Sequence, residues 1–106
     1  MPKGDIIFTL YPFTDLIGVK LRPAVVLIEM EKDITASFIT TQIQWKDPND
    51  LELEPTINNG LKKTSIVRLS KIATINKSLI RGKLGLLTSE EIIELNQKLI
   101  KVFQLL

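Results

Sequence analysis

The chain has 106 residues, 44% of them hydrophobic and 25% charged, with a formal net charge of +2. It holds neither cysteine nor histidine, which excludes disulfides, thiolate chemistry and cysteine metal sites, and removes the usual acid–base side chain near neutral pH and the commonest zinc ligand. A length of this order suits one domain, residues 1–106, whose core hides about 65% of the unfolded surface.

The run "DIIFTL" at 5–10 follows Gly4, precedes Pro12 and predicts a strand. Residues 11–20 read as a loop. "RPAVVLIEM" at 22–30 predicts a second strand, closed by the charged turn Glu31-Lys32-Asp33, and "ITASFITTQI" at 34–43 returns antiparallel to it. In this third strand the pleat places Thr40 and Gln42 on one face and Thr41 on the other. "QWKDPND" is a loop, "LELEP" a short strand with Glu52 and Glu54 on its wet side, and Asn59-Gly60 a turn. "SIVRLSKIATI" at 65–75 gives one long strand, or two with a bend near Ser70.

The last segment has a different period. Ile92, Leu95, Leu99, Val102 and Leu106 recur at helical spacing, and Thr88 with Glu91 fits a capping box, so a helix should begin near residue 89. Ile93, Ile100 and Phe103 widen its apolar stripe enough for a second contact, with a partner subunit or with more sheet. Five or six strands followed by one helix predict a mainly β fold: a small, strongly bent antiparallel sheet or barrel capped by a C-terminal helix. No apolar run approaches the length of a membrane span and "MPKGD" lacks the apolar centre of a signal peptide, so a cytoplasmic location away from membranes is expected.

Charge is unevenly spread. Between Glu54 and Glu90 there is no acidic residue, while Lys62, Lys63, Arg68, Lys71, Lys77, Arg81 and Lys83 fall in that interval. Such a stretch can neutralise phosphates, or be a solvated face whose charges are uneven only along the sequence. Arg22 precedes a proline, which keeps it extended and places a permanent cation at a strand mouth. It can meet a phosphate or close a salt bridge with Asp15 across the loop. Two hydroxyls lie side by side in "ITTQI", and Trp45 at the edge of a loop can stack a base or belong to a core or interface.

The pattern "GDIIFTLYPFTDLIGVKLRPAVVLI" resembles the N-terminal signature of the MazF/PemK family of type II toxin–antitoxin toxins. "FITTQI" is similar to that family's second active-site strand and "IATINKSLI" to its later "TI-K" segment. The resemblance implies an SH3-like half-open barrel of the MazF/Kid/CcdB type with a C-terminal helix. It also implies a homodimer, a cognate antitoxin with a disordered acidic-hydrophobic tail, and a metal-independent endoribonuclease without cofactor acting on single-stranded mRNA.

Carried over position by position, the catalytic residues are Arg22 and Thr40. Phe13, Thr14, Asp15, Lys20, Thr41, Gln42, Lys71 and Thr74 are implied as RNA-binding. Where many members have Gln and Arg, this chain has Lys71 and Ala73. The implied reaction is attack of a ribose 2′-hydroxyl on the adjacent phosphate, and a histidine-free chain is compatible with it because the substrate supplies the nucleophile. The base is unassigned, Asp15 being the nearest carboxylate. Two rival readings use the same barrel without cleavage: binding of a protein such as DNA gyrase, or of RNA or antitoxin alone.

Overall fold

The computed structural model describes residues 1–12 and 20–106. In chain order it has β1 (Asp5–Leu10), β2 (Leu21–Glu29), β3 (Asp33–Thr40), β4 (Leu51–Leu53), β5 (Ser65–Asn76), β6 (Ile80–Leu86) and the helix α1 (Ser89–Val102). The strands form a six-stranded antiparallel sheet in the order β4-β5-β3-β2-β1-β6. The fold is thus mainly β with a C-terminal helix, as the sequence predicts.

Why "AVVL" is continuous rather than alternating follows from two cores on opposite faces of the sheet. Ala24 and Val26 pack with Ile7, Ile34, Ala36, Phe38 and Ile75, while Val25 and Leu27 pack with Ile6, Ile39, Val67, Leu69 and Leu95. A strand covered on both sides has no wet face to alternate with. α1 covers the second core, with Leu95 fully buried and Ile92, Leu99 and Val102 beside it. The predicted capping box is present: Thr88 Oγ1 accepts from the Glu91 N–H at 3.2 Å, and Glu91 Oε1 accepts from the Thr88 N–H at 2.8 Å. Leu106 lies past the helix and is fully exposed, so the apolar stripe ends at Val102.

Register irregularities bend the sheet. The largest lies between β3 and β5: Ser37 pairs with Ile72 and Ile39 with Val67, which leaves residues 68–71 as a bulge in one continuous strand. This bulge is the bend that the sequence placed near Ser70. Its backbone groups are satisfied from two directions. Ser37 Oγ donates to the Arg68 carbonyl at 2.8 Å, and Asp50 Oδ1 accepts from the Leu69 N–H at 3.0 Å. The other oxygen of Asp50 accepts from the Asp47 N–H at 3.0 Å, and the residue is 1% exposed.

Curling brings the edge strands β4 and β6 near each other, but a loop rather than a ladder joins them. The Leu86 N–H donates to the Asn58 carbonyl at 2.9 Å. Gly60 sits at φ +68, where a Cβ would lie 2.3 Å from the Leu84 carbonyl oxygen, so only glycine permits this approach. The result is a half-open barrel. β6 was not expected from the sequence, because "IRGKLGL" breaks alternation with two glycines and is largely exposed or half-buried. A second departure is that β3 ends at Thr40, not at residue 43, and a 3-10 turn over Ile43–Trp45 follows.

At the far end of β2, Glu29 accepts from the Met1 amino group at 2.7 Å and from Lys77 Nζ at 2.9 Å. The amino group first, and Lys77 second, hold its carboxyl below the ordinary value of 4.5. A depressed carboxylate contributes stability that is present above that ordinary value and lost as pH falls through the lower folded one. Glu29→Gln is therefore expected to shrink the fall in stability on acidification below pH 4.5, read from urea midpoints across pH. For Asp50→Ala, which strands the Leu69 and Asp47 donors, urea unfolding should give a loss of about 2–4 kcal/mol.

Candidate functional site

A groove of about 880 Å³ opens on the sheet where β2 begins and β3 ends. Its first wall is the end of β1 and the start of β2: Phe8, Tyr11, Leu21, Arg22 and Pro23. Phe38 and Ile39 of β3 also line it, and Tyr11 meets Phe38 edge to face with ring centroids 5.1 Å apart. The chain then turns through Thr40, Thr41, Gln42 and Trp45, and the opposite wall carries Lys62, Lys63, Arg68 and Lys71.

The pairing of β2 with β3 brings the two expected catalytic residues together. Ala24 is opposite Phe38, and the same register continued by two residues sets Arg22 across from Thr40, on the same face as that pair. Both line the groove, and Arg22 is exposed. Among the described residues Arg22 forms no ion pair. Asp15, its expected alternative partner, lies outside the described residues with Phe13 and Thr14.

Thr41 and Gln42 also line the groove, but not by strand alternation. β3 has ended, and Thr40 Oγ1 accepts from the Gln42 N–H at 3.1 Å, which turns the chain back. Thr40 and Thr41, expected on opposite faces, therefore both border the groove. Lys71 joins them from the β5 bulge. Lys20 and Thr74 are not among the lining residues. Lys20 is exposed at the chain's approach to β2, its carbonyl accepting from the Tyr11 N–H at 2.8 Å. Thr74 is held at the other end of the β3–β5 pair, its hydroxyl 2.6 Å from that of Thr35.

Sequence reasoning did not single out Arg68 or Tyr11, and left Trp45 open. Arg68 Cζ lies over the Trp45 ring, 5.5 Å from its centroid, and Trp45 is 53% exposed. Of the basic interval, Lys62, Lys63, Arg68 and Lys71 reach the groove, so with Arg22 five cations line it, and no carboxylate does among the described residues. That is an electropositive cleft with an apolar lining, suited to an anionic chain bearing flat apolar groups.

The wall at 60–63 depends on one buried amide. Asn59 is 0% exposed; its Oδ1 accepts from the Thr56 and Leu61 N–H groups at 3.0 and 2.9 Å, and its Nδ2 donates to the Glu54 carbonyl at 2.8 Å.

Residues 3–103 match the model of a family described as PemK-like, MazF-like toxin of type II toxin–antitoxin system. No curated protein sequence matches the chain. Among solved structures, the Mycobacterium tuberculosis toxin MazF-mt6 superposes with a TM-score of 0.76 at 20% identity, over 96% of this chain and 97% of that one. A mycobacterial endoribonuclease in complex with its cognate antitoxin gives 0.72 at 20% identity, over 96% and 91%. A structure described as an Mtb toxin gives 0.67 at 20% identity, over 76% and 90%. At that identity these likenesses establish the fold.

Replacing Asn59 by Ala removes three hydrogen bonds from the buried loop. Thermal or urea unfolding is expected to show a loss of about 2–4 kcal/mol, because the orphaned backbone groups remain buried.

Proposed function

The chain belongs to the PemK-like, MazF-like toxins of type II toxin–antitoxin systems, and from that premise and the groove we propose that it is an endoribonuclease cleaving single-stranded mRNA. The single observation that carries this reading is the juxtaposition of Arg22 and Thr40 at the mouth of an electropositive groove. Single-stranded RNA suits such a groove because its bases are free to splay out while its phosphates meet the cations.

In the proposed reaction a ribose 2′-hydroxyl gives up its proton and forms a bond to the adjacent phosphorus. The bond from phosphorus to the 5′-oxygen breaks, and that oxygen takes up a proton. The products are a 2′,3′-cyclic phosphate and a 5′-hydroxyl. The nucleophile comes from the substrate, so the chain needs chiefly to position the phosphate and stabilise its growing charge. The Arg22 guanidinium is suited to that, since it stays protonated and presents a planar pair of donors. In this reading the Thr40 hydroxyl, which lines the same groove, hydrogen-bonds a phosphate oxygen or the departing 5′-oxygen. The proton lost from the 2′-hydroxyl is matched by the one the 5′-oxygen takes up, so the step is neutral in protons.

A cytoplasmic homodimer and a cognate antitoxin complete the proposal. The neighbour solved with its antitoxin supports the latter. An acidic tail would compete with RNA for the same cations. Exposed Leu21, Ile28 and Leu86 on the strands, Met30 just past β2, and Ile93 and Phe103 on or just past the helix, offer apolar area for a second copy.

Pure protein incubated with mixed-sequence single-stranded RNA and a chelator is expected to leave cyclic-phosphate ends, read by mass spectrometry. Arg22→Ala, folded by circular dichroism, should cut roughly 10²–10³-fold more slowly, the usual cost of losing one donor to a transition-state anion. Intact RNA from the folded parent would refute the ribonuclease and favour a barrel toxin that binds a protein target such as DNA gyrase.

A further inference from the structure

Arg68, a groove cation, lies over the Trp45 ring, and it carries a second peculiarity. Its Nε is buried without a hydrogen-bond partner among the described residues. With Nε enclosed, the outer Nη groups are the donors of this side chain that a groove ligand can meet. The residue begins the β5 bulge, its carbonyl is held by Ser37, and the Trp45 ring lies against its guanidinium. The side chain is thus braced at both ends while its inner donor is unanswered.

Resting on the ribonuclease reading, we propose that Arg68 and Trp45 form a guanine-reading subsite that contributes the sequence preference of cleavage. The two Nη–H groups at the end of an arginine form a planar pair of donors that matches the O6 and N7 acceptors of guanine. A phosphate offers two acceptors as well, but it has no flat face. The Trp45 ring, 53% exposed beside the guanidinium, supplies the surface on which a base stacks. Four other cations, Arg22, Lys62, Lys63 and Lys71, line the same groove and serve the backbone charge. Arg68 has its guanidinium over the exposed Trp45 ring, the arrangement that base reading uses.

Trp45 is the sole tryptophan of the sequence, so its fluorescence reports on this place and no other. The test titrates the 106-residue protein with short 2′-O-methyl oligouridylates, which cannot supply an attacking hydroxyl and so survive. One is all uridine, one carries a central guanosine, and one carries a central adenosine. The guanosine oligomer should quench Trp45 and bind about tenfold more tightly than the other two. Arg68→Lys should weaken the guanosine oligomer by about tenfold more than it weakens the all-uridine one.

Equal binding of all three, or no change in Trp45 fluorescence, would overturn the subsite even if Arg68→Lys did not fold. So would a common loss across all three oligomers on Arg68→Lys, which is the signature of a phosphate clamp. Cleavage of long RNA by the parent is scored separately. Cutting without a guanosine preference sinks the subsite and keeps the ribonuclease, whereas guanosine-selective binding without cutting does the reverse.

Discussion

The β5 bulge at residues 68–71 is the constraint on which the rest of the site depends. A strand of twelve residues paired regularly along β3 would be straight enough to leave the sheet open. Instead the extra residues break the ladder, and the freed backbone groups need partners that a sheet does not supply. Asp50, from the segment before β4, and Ser37, from inside β3, provide them. The consequence is geometric. β5 bends over the sheet, β4 is carried toward β6, and the two cations at the ends of the bulge, Arg68 and Lys71, come to line the groove opposite Arg22.

The same bend explains how a chain of this size keeps a strand buried on both faces. One side of β2 is covered by α1 and the edge strands, and the other by residues such as Tyr11, Leu79 and Ile80 that pack beside the core of Ala24 and Val26. At the start of β2 the cover ends, and the burial pattern passes from exposed Leu21 and Arg22 to fully buried Ala24 within three residues. Arg22-Pro23 therefore occupies the boundary between solvent and core. Proline suits that position because it needs no ladder donor, and it keeps the preceding arginine extended. The side chain that the proposed chemistry depends on is oriented by backbone restriction and by register, not by an ion pair with any described residue.

What could be read in the sequence was whatever rests on local signals. Thr88 and Glu91 announce the helix start, the apolar run after Pro23 announces the buried strand, and Asn59-Gly60 announces a turn. Arg22 and Thr40 were named through the resemblance of "RPAVVL" and "FITTQI" to a family signature, and strand pairing sets them opposite each other. What escaped notice depends on tertiary context. β6 owes its existence to β1 and not to its own pattern, since its two glycines and two cations read as loop. Thr41 reaches the groove only because β3 stops one residue earlier, and a hydroxyl-to-backbone hydrogen bond that stops a strand leaves no periodic trace. Asp50 looked like one of several surface acids, yet it is buried and holds the bulge. Trp45 and Arg68 are far apart along the chain, and nothing local marks them as a stacked pair.

Apolar lining and clustered cations have opposite solvation demands, and their coexistence in one groove bears on its role. Phe8, Phe38, Ile39 and Leu61 lower the local dielectric beside Arg22, Lys62, Lys63, Arg68 and Lys71. Like charges crowded against such a wall repel each other more strongly than they would in open water. A cleft lined in this way attracts anions. Under the proposed function, an anion of repeating charge with flat groups between its charges would meet both features: phosphates for the cations, and bases for Trp45 and the apolar wall. A small anion would answer the charge and leave the apolar wall wet, which is why single-stranded nucleic acid is the proposed occupant.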